Sequence, residues 1–390
     1  MLRRAGFLMA VLMLAGAASA ATITVRKDGT GDFAVLQQGL DAAAAGDTIL
    51  IGPGEYTESS MVRLAGYSWD VETFGLVRVP DLTIIGSGAG VTLIGSPTYR
   101  GVTSTDSPKC LTYDLDSSSI RISHLTLRGC YEGVYVAGVL QMENCHLVDN
   151  RLGIGWFHCG NGGWIKSTRV EVVSSILGPG SFEIGFGSSG DVLLEGCYFA
   201  DGGAIRSLQN AVMRDCDFRG FGLYSGGRAY LSNCRTLPGT GGAVSMTLGA
   251  NAYCEITDST LRGSWATLIV GETAPGGRYV VSNCLIEGGV NGALWSRNGA
   301  GPCAITGCDL IKGSGPMVLC DPSTTVVEHD LTNNYWGTTD AALIESWITD
   351  RSDNPNIGAT VLCTPFAGQP VPTETRSWGE VKALWRDGAR

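Results

Sequence analysis

A tyrosine, a carboxylate and an arginine at near-equal spacing are the residues of this chain best suited to act together. Tyr198, Asp217 and Arg235 are 19 and 18 residues apart, and Arg219 stands two positions past the carboxylate. In a chain that repeats at that interval they would line one column. A guanidinium neutralises a sugar acid while a phenolate or carboxylate takes the ring proton beside it, the chemistry of a polysaccharide lyase. The same residues also read as a solvated Asp–Arg pair contributing under about 1 kcal/mol.

A second candidate is the segment 156–164, Trp-Phe-His-Cys-Gly-Asn-Gly-Gly-Trp, followed by Lys166 and Arg169. Trp156 and Trp164 would stack on sugar rings, with His158, Lys166 and Arg169 meeting hydroxyl or acidic groups. Trp156 also fits as a core residue continuing the strand before it. Of the four histidines, His146 and His158 with Cys159 supply only three metal ligands and no second shell, so no metal or cofactor is expected. His124 and His329 read as polar residues at chain bends.

What must position these groups is a repeat. Between Ile120 and Trp336 a pattern of apolar, any, apolar, two polar or small, small, any, apolar recurs about every 23 residues. The small slot falls at Leu125, Cys145, Ser175, Cys197, Cys216, Cys234, Ser259, Cys284, Cys308 and Asp330. Inward positions alternate with period two, as in a strand, and are broken by two residues that bend the chain. Asn144, Gly196, Asp215, Asn233, Asp258 and Asn283 occupy that bend, where Asn, Asp and Gly accept left-handed backbone angles. A unit of about 23 residues at roughly 3.3 Å each makes a perimeter near 75 Å, right for a three-sided coil. The segment between Cys145 and Ser175 is longer than its neighbours by one loop, which is where the Trp156–Trp164 stretch lies.

Composition sets further bounds. Residues 1–20 read as a secretory leader: Arg3 and Arg4, an apolar run from Phe7 to Leu14, then Ala18-Ser-Ala. Removing it takes the formal charge from −10 to −12. An acidic chain is repelled by phosphate backbones, which argues against nucleic acid. No later run is long enough to form a transmembrane anchor. The expected location is secreted, periplasmic or cell-surface. Six of the 13 cysteines share the small slot and read as buried thiols, while Cys110, Cys159, Cys320 and Cys363 are off register and are disulfide candidates.

Several stretches carry a family resemblance. Residues 25–33 (Val-Arg-Lys-Asp-Gly-Thr-Gly-Asp-Phe), 36–40 (Leu-Gln-Gln-Gly-Leu) and 46–57 (Gly-Asp-Thr-Ile-Leu-Ile-Gly-Pro-Gly-Glu-Tyr-Thr) resemble the start of right-handed parallel β-helices of the pectin lyase-like superfamily. Residues 82–88 (Leu-Thr-Ile-Ile-Gly-Ser-Gly) and 333–337 (Asn-Asn-Tyr-Trp-Gly) are similar to them too. The resemblance implies an all-β, right-handed parallel β-helix solenoid of about ten or more coils over residues 21–366, with an N-terminal cap helix within 34–45. A closing helix is expected over 340–347, with Leu343, Ile344 and Trp347 facing the last coil. Residues 67–78 read as a loop, and 367–390 as a linker and tail. The superfamily's reactions are less well matched. The pectinesterase Leu-Gly-Arg-Pro-Trp stretch and the paired aspartates of polygalacturonases are absent, and the aspartate column of calcium pectate lyases is interrupted between Asp149 and Asp201 by Pro179. The expected function is therefore binding of an extracellular or envelope polysaccharide. A lyase or hydrolase of the same fold, and a surface spacer or adhesin, are the alternatives. No motif sets an oligomeric state.

Overall fold

A computed structural model describes residues 20–370 apart from 65–69, 99–107, 114, 116–117, 137, 151, 156–168, 174–175, 178–181, 189–190, 200–202, 208–209, 237–243, 249–250 and 272–276. The chain winds as a right-handed parallel β-helix whose walls are long parallel sheets. Among the described residues sheet 1 has 14 strands, from Thr22–Val25 to Ala359–Leu362, and sheet 2 has 11, from Gly54–Tyr56 to Asp309–Ile311. The third wall is built in two parts. Sheet 3 serves the early coils and ends at Leu152–Gly155; sheet 4 begins at Phe182–Ser188 and serves the later ones.

One coil shows the logic. Arg228–Ser232 runs in sheet 1, Asn233 and Cys234 turn the chain, Arg235–Thr236 enters sheet 2, and Val244–Leu248 forms sheet 4 before Tyr253–Thr257 opens the next coil. The turn between sheets 1 and 2 needs a left-handed residue. Asn144, Asp215, Asn233, Asp258 and Asn283 all have φ of 50–54°, Gly196 has 60° and His124 has 58°. Strict register then stacks like on like: Leu194, Met213, Leu231, Ile256, Val281 and Ile305 are successive partners. Cys145, Cys197, Cys216, Cys234, Cys284 and Cys308 form the expected column inside the coil, all essentially inaccessible to water.

Some expectations are corrected. The last repeat is out of step by four residues: Asp330 pairs with Ala304 and Leu362 in sheet 1, and the small slot belongs to Asn334. The triplet Leu331, Asn334 and Trp336 matches the pattern as well as the earlier one does, and it buries more apolar surface. Asn334 Oδ1 accepts from the Cys308 N–H at 2.8 Å and its Nδ2 donates to Leu331 O at 2.8 Å. His329 is not at a bend. It points inward and is fully buried.

Cys110, Cys320 and Cys363 are free buried thiols, as are all the described cysteines, and Cys159 lies outside the described residues. Desolvation in the coil interior makes a thiol behave as a small apolar group wherever it falls in the repeat. Residues 67–78 are not all loop. Asp70–Thr73 pairs antiparallel with Ser60–Arg63, and Leu76–Val77 is also strand. Val71, Leu76 and Leu64 bury against Tyr135 there, which draws the segment into order.

Helix α1, Leu36–Ala42, buries Leu36 and Leu40 in the core. Helix α2, Ala341–Glu345, is capped by Asp340, whose side chain accepts from the Leu343 N–H. Ile344 is buried and Trp347 packs on the core, but Leu343 is 43% exposed because it falls a third of a turn off that face.

Candidate functional site

The predicted column exists. Tyr198 pairs with Asp217 and Asp217 with Arg235 on adjacent strands of sheet 2. Arg235 grips the carboxylate with two hydrogen bonds, Nε to Oδ1 at 3.1 Å and Nη2 to Oδ2 at 2.8 Å. Both are mostly withdrawn from solvent. A carboxylate held bidentately is poorly placed to take a substrate proton, and the guanidinium is occupied with it. Arg219 is exposed two positions further along. The geometry therefore favours the ion-pair reading of this column.

Of the second candidate, Trp156, His158, Trp164 and Lys166 lie outside the described residues. Arg169 opens a strand of sheet 1 and pairs with Val139 and Asp191. His146 sits beside Thr126 on sheet 2, and burial lowers its pKa. Among the described residues no group of three or more His, Cys, Asp and Glu is arranged to hold a metal ion, and no helix is long and apolar enough to cross a membrane.

The aromatic site lies elsewhere. In the sheet 4 strand Leu294–Ser296, Leu294 and Ser296 are buried, so period-two alternation turns Trp295 outward. Its register partners are Ile269 and Leu319. Trp265 comes from the preceding turn and meets Trp295 edge to face, with ring centroids 4.6 Å apart and planes at 86°. That turn is fixed by backbone bonds from Val290 N to Ser264 O at 3.1 Å and from Asn291 N to Trp265 O at 2.6 Å. Gly289 makes the approach possible, since a Cβ there would lie 2.8 Å from the Trp265 carbonyl.

Polar groups surround the pair. Trp295 Nε1 donates to Asp321 Oδ1 at 2.9 Å, which fixes the ring. The Arg297 guanidinium lies 5.6 Å from the Trp295 ring centroid. Trp265 remains 45% exposed. An exposed indole on a rigid rung, beside a carboxylate and a guanidinium, offers a sugar both an apolar platform and hydroxyl partners. In the sequence Trp295 ends an apolar run, Gly292-Ala293-Leu294-Trp295, with nothing in its type to separate it from the core. The available signal was its parity: Leu294 points inward, so Trp295 cannot. Trp265 had no periodic signal, being in a turn.

No family model matches this chain, and no curated protein matches it either. Solved structures do. The Agl-KA catalytic domain is 12% identical, over 89% of this chain and 69% of that one, with a TM-score of 0.50. The Azotobacter vinelandii mannuronan C-5 epimerase AlgE6 A-module is 14% identical over 86% and 94%, at 0.44. Pectate lyase Pel9A is 12% identical over 91% and 80%, at 0.34. At these identities the likeness concerns the fold alone, and the Agl-KA domain agrees with the β-helix described above.

Proposed function

We propose that this chain is an exported β-helix protein that binds an extracellular or envelope polysaccharide, with Trp265 and Trp295 as its contact platform. The observation that carries the proposal is the 45% exposed Trp265 held against a Trp295 whose rim bears Arg297 and Asp321. Two indoles held edge to face with a guanidinium and a carboxylate at the rim present a fixed amphipathic surface suited to a sugar ring. Residues 1–20 support export through their leader-like pattern. The occupied Asp217–Arg235 pair supports binding in preference to lyase chemistry at that column.

The test is a panel of neutral and acidic polysaccharides, with and without calcium, measured for binding and for new reducing or unsaturated sugar ends. Retention without products is expected. Trp265→Ala should abolish retention of the neutral polysaccharides while leaving the melting temperature nearly unchanged, because the side chain is exposed. Product formation would replace the binding reading with an enzymatic one, and retention unaffected by Trp265→Ala would remove the platform from it.

A further inference from the structure

Sheet 1 carries a second group of residues on another wall of the coil. Arg228, Tyr253 and Arg278 are successive register partners at the start of three adjacent strands. Tyr230 and Glu255 are partners in the neighbouring outward column, flanked by Val212 and Val280. Tyr230 and Tyr253 lie 6.2 Å apart between ring centroids, at 58°. Arg228 and Arg278 are exposed. Among the described residues neither has a carboxylate within ion-pair distance.

Two guanidiniums with no ion pair among the described residues bracket a tyrosine, on a chain of formal charge −10. Glu255, the nearest carboxylate in register, is engaged by the Tyr253 hydroxyl, which donates to Oε2 at 3.1 Å. The two arginines are two rungs apart, roughly 9.6 Å at the usual strand spacing. An extended glycan lying along the axis would set one ring on Tyr253 and present the charged groups of the rings on either side to Arg228 and Arg278. Guanidinium forks suit the planar oxygens of carboxylates and the oxygens of sulfate esters.

We propose that the Arg228–Tyr253–Arg278 column is an acidic-glycan site, separate from the Trp265–Trp295 platform. It rests on the reading of the chain as a polysaccharide binder only for the class of ligand, not for the surface. A polyphosphate duplex is a poorer fit, because the acidic body of the protein repels a dense phosphate array.

The experiment uses the full chain and three polymers of one backbone: dextran, carboxymethyl dextran and dextran sulfate, run at low and high salt, with polyglutamate as a non-sugar polyanion. Retention by one or both charged dextrans is expected at low salt and should weaken at high salt; which of them binds identifies the oxyanion. Arg228→Gln with Arg278→Gln should lower that affinity at least roughly tenfold, the loss expected from a charge-assisted contact. Both sites are exposed, so the melting temperature should hold. Trp265→Ala should remove neutral-glycan binding and leave the charged-dextran binding in place, so failure of the platform and failure of this site are read separately. Three results would overturn the proposal: no retention of either charged dextran at low salt, equal retention by the arginine double variant, or polyglutamate bound as tightly as the glycans.

Discussion

Lys109 Nζ lies 2.8 Å from Glu132 Oε2, and neither side chain reaches solvent. The two residues are register partners on sheet 3. The ammonium also sits 4.9 Å from the centre of the Tyr135 ring, which joins Leu64, Val71 and Leu76 in a small apolar cluster of its own. Glu132 Oε1 has no hydrogen-bond partner among the described residues.

Such a pair is costly to break and of little net benefit to keep. Glu132→Gln or Lys109→Met alone should destabilise the protein by about 3–5 kcal/mol, because each strands a buried charge. Lys109→Met with Glu132→Leu should recover most of that loss. Denaturant melts of the three variants check it; additive losses in the double variant would show that the two residues are not energetically coupled.

Acid should weaken the fold through His329. Its Nδ1 accepts from the Cys303 N–H at 3.2 Å, so the ring proton is on Nε2, 2.9 Å from Ser296 Oγ. Burial lowers its pKa to about 4, against about 6.5 in the unfolded chain. The native state therefore resists a proton that the unfolded state accepts. Stability should be undiminished above about pH 6.5, fall as pH drops toward about 4, and level off below, a total of about 3 kcal/mol. His329→Asn should remove this step from a pH series of unfolding curves. Carboxylates held low by hydrogen bonds, such as Asp32 by Thr24 and Asp81 by Ser119, titrate in a lower window and should leave their own step intact.

The buried thiols, in the column and outside it, should be chemically silent. Burial pushes Cys145, Cys254 and Cys320 up to about 12, and Cys216 rises through burial and through Cys197 and Cys234 on either side. A thiol-specific reagent should label the native protein slowly and the denatured protein fast at all of these. Cys216→Ala should cost about 1–3 kcal/mol, as a small cavity does, and Cys216→Asp should unfold the coil by burying a charge. If both variants melt with the parent, Cys216 is not in the interior.

The bend residues set the angle between two walls. Asn233 has φ of 50°, and its side chain bonds to Asp215 on the next rung. Asn233→Ala should cost about 1–2 kcal/mol for left-handed backbone, and Asn233→Gly clearly less. A melting-temperature series over Asn233, Asn283 and Asn144 would show the same ordering at each bend.

The solenoid was legible in the sequence because its determinants are local and repeated. Period-two alternation, the small slot and a left-handed bend residue recur in one short motif, and stacking at strand spacing then dictates that Tyr198, Asp217 and Arg235 align. That the aspartate and arginine would close on each other was visible only as one of two readings. What the tertiary structure alone decided lies across the irregular turns. The link from sheet 2 to sheet 4 runs from Thr236 to Val244 in one coil but from Arg262 to Leu268 in the next, so no period predicts where a residue such as Trp265 will land. Its contact with Trp295, the inward turn of His329 and the shift of the last slot to Asn334 all depend on how much apolar surface each alternative buries in three dimensions. Sequence spacing determines the rung; packing across the turns determines which side chains meet on it.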